Sequence, residues 1–412
     1  MGDIERPSTS GNNANPGEPV LLRVASHIAD VSPADWDTCA GTAAGPQRPD
    51  NPFISHAFLK ALEDSGSATA ETGWLPQHLL LEDSTGALLG CMPCYLKSHS
   101  QGEYVFDHGW ADAYLRAGGR YYPKLQVSIP FTPVTGKRLL VRPGDGEQDR
   151  KAILLQAAMQ VADRLGVSSL HITFLTREEW QLAGDMGLLK RTDQQFHWRN
   201  LNYRSFDDFL EALTSRKRKA IKKERREALS GGIEIEWLTG RAITEAHWDA
   251  FFAFYMDTGS RKWGSPYLTR HCFSLLSETM ADQILLVLAK RSGRYVAGAL
   301  NVIGRDALYG RYWGGIEDQP FLHFEVCYYQ AIEFAIAHQL ARVEAGAQGA
   351  HKLARGYLPT TTHSAHFIAD PSFRRAVADY LKRERLAVGR EIALLTEESP
   401  YRQGARLALE HE

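Results

Sequence analysis

From residue 20 onward, apolar and polar positions fall into short alternating runs separated by stretches of helical spacing. LLRVASHIAD reads as a strand, PADWDTCAG as the start of a helical stretch, and HAFLKALEDSGSA as a helix that ends in a Ser/Gly turn. QHLLLED and GALLGCMPCYLKSH follow as an antiparallel pair around Ser84-Thr85-Gly86, and EYVFDHGW is expected to add a third strand. A long segment rich in Gly, Pro and aromatics runs from Trp110 to Pro143. After it come a helix, DRKAILLQAAMQVADRLG, a short strand, SSLHITFL, a second helix, REEWQLAGDMG, and a strand around QFHWRNLNY.

The same order recurs. ILLVLAK and YVAGALNVIG flank a turn at Arg291-Ser292-Gly293-Arg294, and ALYGRYWGG makes a third strand. The helix FEVCYYQAIEFAIAHQLA, the short strand RVEAG, a polar loop AQGAHKLARGYLPTTTHS, a strand near AHFI and a last helix, FRRAVADYLKRERLAVGREIALL, complete the second copy. Two antiparallel meanders, each followed by helix, strand, helix and strand, imply two tandem α/β domains with mixed sheets. Their expected limits are 20–200 and 201–395. A disordered tail is expected at 1–19, where Ser, Gly, Asn and Pro dominate, and another tail at 396–412.

Composition narrows the function. The 412 residues carry a formal net charge of -2, so no global attraction to nucleic acid or membrane is expected, and any such partner needs a local patch. DNA is not expected as a partner. No apolar run spans a membrane and no signal peptide opens the chain, which points to the cytoplasm. The five scattered cysteines suit a reducing compartment. Cys91 and Cys94 form a CxxC, but on a strand rather than at the start of a helix, so neither redox nor zinc chemistry is favoured, and no metal site is expected.

A meander followed by a helix beside a splayed sheet makes a cleft suited to acyl transfer. Such a site needs an activated acyl donor, an amine held in line and a group to take its proton. The segment from Arg294 to His366 resembles the FemAB-like branch of the GNAT acyltransferase superfamily. So do SRKRKAIKKERREA, YMDTGSRKWGSPYLT and YYPKLQVSIPFTPVTGKRLL. The resemblance covers roughly residues 20 to 390. It implies two GNAT-like domains and transfer of an acyl or aminoacyl group to an amine of a small-molecule or peptide acceptor. No cofactor would be bound permanently; aminoacyl-tRNA or acyl-CoA would serve as co-substrate. No Q/R-x-x-G-x-G/A pyrophosphate loop stands ahead of a helix, which moves the donor toward aminoacyl-tRNA. A GNAT-like protein that binds a phosphorylated metabolite or RNA without turnover is the rival reading.

The candidate residues fall into clusters. In the loop Glu344 to His363, His351 could accept the amine proton, Lys352 could steady the oxyanion, and Gln348 and Arg355 could bind substrate. Glu344, on an otherwise apolar strand, should be partly buried and need a basic partner. It is a second candidate base, or half of an ion pair with Arg342 or Arg311. Tyr309, Arg311 and Trp313 should share one strand face, and Glu325 and Tyr328 one helical face; each set is either a binding wall or core. The eight basic residues among Arg216–Arg226 include Arg216, Arg218, Lys219, Lys222 and Arg225, a patch for phosphate or tRNA or else a solvated helix face. Asp257 to Tyr267 reads as a loop whose Arg261, Trp263 and Tyr267 could clamp an anionic substrate. Asp107, Trp110, Tyr122 and Lys124 could wall the acceptor site from the first half.

Overall fold

The strand pattern sorts itself around one proline. GALLGCMPCYLK is a single alternating run, but Pro93 has no N–H to give a ladder, and the run splits there into two strands that enter different sheets. The computed structural model describes residues 20–43, 45, 47–262, 266–346 and 349–410. Its strands are β1 (Leu21–Ala25), β2 (Trp74–Pro76), β3 (His78–Glu82), β4 (Leu88–Met92), β5 (Cys94–Lys97), β6 (Lys124–Val127), β7 (Leu140–Val141), β8 (Ser169–Thr173), β9 (Leu189–Arg199), β10 (Ile233–Thr239), β11 (Ile284–Arg291), β12 (Arg294–Ile303), β13 (Ala307–Gly315), β14 (Arg342–Glu344) and β15 (Leu358–Ile368).

Four strands form one sheet in the order β1-β3-β4-β7. Eleven form the other, in the order β10-β11-β12-β13-β14-β9-β15-β8-β6-β5-β2. The hairpin between β3 and β4 closes as expected: the Asp83 carboxylate accepts from Thr85 N at 2.8 Å and Ala87 N at 3.0 Å, and Gly86 takes φ 87°. The meander β10-β11-β12-β13 is antiparallel, and β13 then pairs in parallel with β14. The first half repeats this step with β6 parallel to β8.

The two halves exchange their last strands. β9, which ends the first half, lies antiparallel to β14; β15, which ends the second, lies antiparallel to β8, and the two also pair with each other. One continuous sheet therefore runs through both halves. One face of it is apolar: Leu125, Leu170, Ile172 and Ala365 pack in the first half, and Val343, Trp198 and Leu308 pack against Ala331, Ile332 and Ala335 in the second. Burying each large aliphatic or aromatic side chain there is worth about 1.5–3 kcal/mol. The opposite face, on the same strands, is polar.

Five expectations need correction. EYVFDHGW is not a strand: residues 103–107 form a loop and His108–Arg116 a helix, because Glu103 and Asp107 turn inward to pair with Lys124. The segment from Trp110 to Pro143 holds the rest of that helix, β6 and β7. Asp257–Lys262 continues the helix Glu245–Lys262 rather than starting a loop. The threonines Thr360 to Thr362 lie on β15, not in a loop, drawn into the ladder by β9. The tail expected after residue 395 folds back: Tyr401 is buried, its hydroxyl donates to Gly356 O at 2.8 Å, and Gln403–Glu410 is a helix. Among the described residues, no helix is long and apolar enough to cross a membrane.

Candidate active site

β13 and β14 run together for three residue pairs, ending at Tyr309 opposite Glu344. Beyond that point β13 stays with β12, while β14 follows β9 through Ala345 N to Phe196 O at 3.2 Å and Phe196 N to Gly346 O at 3.3 Å. The sheet forks. Gly314 lets the β13 arm bend against the helix Glu245–Lys262, since a Cβ there would meet the Phe254 carbonyl carbon at 2.2 Å.

Glu344 stands at the apex of the fork, 4% exposed. Arg342 Nε donates to its Oε1 at 2.9 Å, so the expected basic partner is Arg342, while Arg311 faces elsewhere. Glu344 Oε2 is buried with no hydrogen bond from the protein. His197 Nε2, on the exchanged strand β9, lies 3.7 Å from it. Burial pushes the His197 imidazole below its ordinary range, against the pull of Glu344.

Lys352 and His351 are neighbours in chain but not in role. Both lie on the short 3-10 helix Ala350–Arg355. Lys352 turns inward and donates to Ala345 O at 2.6 Å and Gly346 O at 3.2 Å, at the mouth of the fork. Burial pushes its ammonium down to about 8. His351 turns outward. Its Nε2 lies 3.0 Å from the Tyr328 hydroxyl and its ring stacks on Phe324. Lys352, not His351, therefore shares the fork with Glu344.

The set Tyr309, Arg311 and Trp313 is divided. The β12–β13 register slips between Leu300 and Asn301, opposite Arg311. Tyr309 and Tyr312 then pack with the first half's Phe53 and Phe131, while Trp313 joins the opposite core and meets His323. Arg311 Nη2 and the Tyr312 hydroxyl both donate to Phe131 O, at 2.8 and 3.2 Å, and so hook a first-half segment over the fork.

The helix after β13 is broken by a π-turn over Glu325–Tyr329, a distortion common at functional sites. Three of its leading N–H groups are already used: Leu322 N bonds Gln319 O, and Phe324 N and Glu325 N bond Phe321 O. Glu325 is fully buried. It receives Arg225 Nε at 3.0 Å, Arg225 Nη2 at 2.8 Å and Gln330 Nε2 at 2.7 Å. Arg225 also reaches Glu333 and lies over Phe206. Arg355 lies over Phe324 and binds Glu224. Glu325, Arg225 and Arg355 thus brace the basic helix Ser215–Ala228 against the π-turn. Arg218 pairs with Glu211 and Lys222 with Asp207, while Arg216, Lys219, Lys222 and Arg226 remain on the exposed side.

The first half holds a second polar cluster on the same sheet face. Lys124 Nζ donates to Ser100 Oγ at 2.9 Å, Glu103 Oε2 at 2.7 Å and Asp107 Oδ2 at 2.5 Å. The Tyr121 hydroxyl also donates to Asp107, and His171 Nδ1 meets His366 Nδ1 at 2.7 Å across β8 and β15. Burial opposes ionisation of Asp107, but Lys124 and then His171 outweigh it, and the carboxyl is held well below its usual range. Burial pushes Glu103 up to about 7 and Lys97 down to about 7. Trp110 meets the His366 ring edge-on, and Tyr122 bonds Ser100. This cluster joins Asp107, Trp110, Tyr122 and Lys124 but separates them from the fork. Tyr267 stacks on Phe131 with centroids 4.7 Å apart, tying the halves together. Trp263 and Gln348 lie outside the described residues, as does the side chain of Arg261.

The sequence reading missed His197, Gln195 and Arg342, and also Glu103, His171 and His366. A signal was present: Gln195, His197 and Arg199 alternate with Phe196 and Trp198, which marks a strand polar on one side and buried on the other.

Comparison with known proteins bears on this architecture. FemX aligns with 12% identity and a TM-score of 0.53, over 84% of this chain and 98% of its own. The C-terminal DUF2156 domain of an Agrobacterium fabrum protein named for lysylphosphatidylglycerol synthesis aligns with 9% identity and a TM-score of 0.50, over 86% and 96%. A tandem GNAT protein from the clavulanic acid pathway aligns with 13% identity and a TM-score of 0.46, over 86% and 99%. At these identities the likeness is one of fold. A search of curated proteins by sequence found no match. The family model for FemAB-like proteins, described as peptidoglycan biosynthesis/recognition, matches residues 27–403, and the chain belongs to that family.

Proposed function

We propose that the protein transfers an aminoacyl group from aminoacyl-tRNA to an amine on a small-molecule or peptide acceptor, at the β13–β14 fork. The observation that carries this reading is Glu344 Oε2, a buried carboxylate oxygen with no hydrogen bond, at the point where two strands part. Leaving such a group unpaired costs about 1–3 kcal/mol, and an amine N–H seated in the fork would relieve it. The amine nitrogen attacks the donor's ester carbonyl, and its proton passes to Glu344. The N–C bond forms as the C–O bond to the donor breaks. The electron pair leaves with the donor's ribose oxygen, which takes up a proton. The Lys352 ammonium at the fork mouth supports the developing oxyanion.

The donor assignment rests on where phosphates can bind. In a GNAT-like fold the helix after β13 would cradle a diphosphate on free N–H groups. Here three of the leading ones are bonded to Gln319 O and Phe321 O. Exposed cations lie instead on the adjacent basic helix, braced to the π-turn, which suits a polyanion. The protein would act where its donor is made, in the cytoplasm. The test is mass spectrometry of products from the purified protein with charged tRNAs, a CoA-thioester panel and an amine panel. Amide formed from charged tRNA and abolished by ribonuclease is the expected result. Amide formed only from CoA thioesters refutes the donor assignment, and no amide with any donor refutes the reaction.

A further inference from the structure

Glu344 needs more than Arg342 to be held in place. Arg342 binds Oε1 only, and Oε2, the oxygen offered to the amine, has His197 Nε2 at 3.7 Å. His197 reaches that position through the strand exchange: β9 comes from the first half, and its register sets His197 directly opposite Glu344.

The surroundings decide which ring nitrogen carries the proton. Gln195 spends its amide nitrogen on Pro133 O at 2.7 Å, so its Oε1 is the atom facing His197 Nε2, at 3.4 Å. An amide oxygen there requires Nε2 to be the N–H donor. The charged groups around the imidazole are Glu344, Arg342, Arg199 and Lys352. Burial and the three cations keep the ring neutral, so Glu344 faces an N–H dipole rather than a competing acid.

We infer that His197 is a positioning residue of the transfer site, with its Nε2–H held by Gln195 Oε1 at 3.4 Å and set beside Glu344 Oε2 at 3.7 Å. This rests on Glu344 as the proton acceptor. At 3.7 Å the ring makes no hydrogen bond to the carboxylate; it walls Oε2 on the β9 side and turns an N–H dipole toward it, leaving that oxygen free for the amine. The second half's site is therefore incomplete without the first half's last strand. Gln195 extends the chain of contacts to Pro133, in the same first-half segment that Arg311 and Tyr312 grip through Phe131.

The test compares kcat and KM against pH for the full-length protein and for His197→Leu, His197→Gln and Glu344→Gln. His197→Leu should lower kcat about tenfold, as loss of a supporting polar neighbour commonly does, and leave KM for both substrates within about twofold. Removing the N–H dipole beside the carboxylate should also move the acid limb of the kcat profile upward. His197→Gln retains an N–H and should recover most of both effects. A purely structural role would lower the amount of folded protein without moving the limb. An unmoved limb in His197→Leu, or Gln behaving like Leu, overturns the inference. If Glu344→Gln keeps the wild-type rate, the reading of Glu344 fails and the inference falls with it. If Glu344→Gln is inactive while the limb of His197→Leu does not move, only the inference fails.

Discussion

Removing Arg225 separates the bracing role of the basic helix from its proposed anion-binding role. Glu325 has no exposed side-chain surface, and Arg225 is 19% exposed. In Arg225→Met the carboxylate keeps Gln330 Nε2 but loses three guanidinium contacts, at 3.2, 3.0 and 2.8 Å, and with them its paired cation. Breaking one side of a buried pair typically costs about 3–5 kcal/mol. The retained Gln330 contact places this case near the lower bound. Arg225→Met with Glu325→Met leaves no orphan charge and should recover most of the loss. Urea unfolding reads both, as a lowered midpoint at an unchanged slope. Lys219→Ala, on the exposed side, should stay within about 0.5 kcal/mol of wild type. A cost under about 1 kcal/mol for Arg225→Met, or a double variant no better than the single one, would refute the argument.

The other predictions follow from the same geometry. If the Lys352 ammonium supports the oxyanion, the transfer rate should fall on the alkaline side with a midpoint near 8, the value to which burial pushes that group. The same depression makes Lys352 a destabilising charge below pH 8, relieved as pH rises from there toward 10.5, so Lys352→Met should flatten urea stability across that window. Lys352→Met should also lower kcat about 100-fold. Charge reversal at Lys219, Lys222 and Arg226 together should raise KM for charged tRNA steeply and weaken its salt dependence, measured by filter binding from low to high salt. Lys124→Met removes the cation that Glu103 and Asp107 share, leaving Glu103 only Lys97 at 3.9 Å, and should cost about 3–5 kcal/mol in urea unfolding.

Much of the fold was legible because period-two and helical spacing report burial on one side of an element. QHLLLED, ILLVLAK and YVAGALNVIG all became strands in the expected order. The misread segments have specific reasons. EYVFDHGW is aromatic and apolar like a strand, yet its acids are held inward by Lys124, a contact made across 17 and 21 residues. LPTTTHSAHFI looks like a loop because the sheet face it joins is itself polar, so alternation is hidden at its start. The bulge opposite Leu300–Asn301 turned Trp313 away from Tyr309, and no local pattern announces a one-residue slip. Glu344 could be picked out as an acid on an apolar strand. His197 could not be assigned to it, because the exchange of β9 and β15 is a long-range pairing.

The account turns on Glu344 as the group that takes the amine proton. The most direct measurement is single-turnover amide formation from charged tRNA across pH, for wild type and Glu344→Gln, which keeps the side chain's shape and the Arg342 contact. The prediction is a rate lower by about 100-fold or more, loss of the acid limb, and unchanged donor binding. A Glu344→Gln protein that forms amide at the wild-type rate with the same pH profile would contradict it.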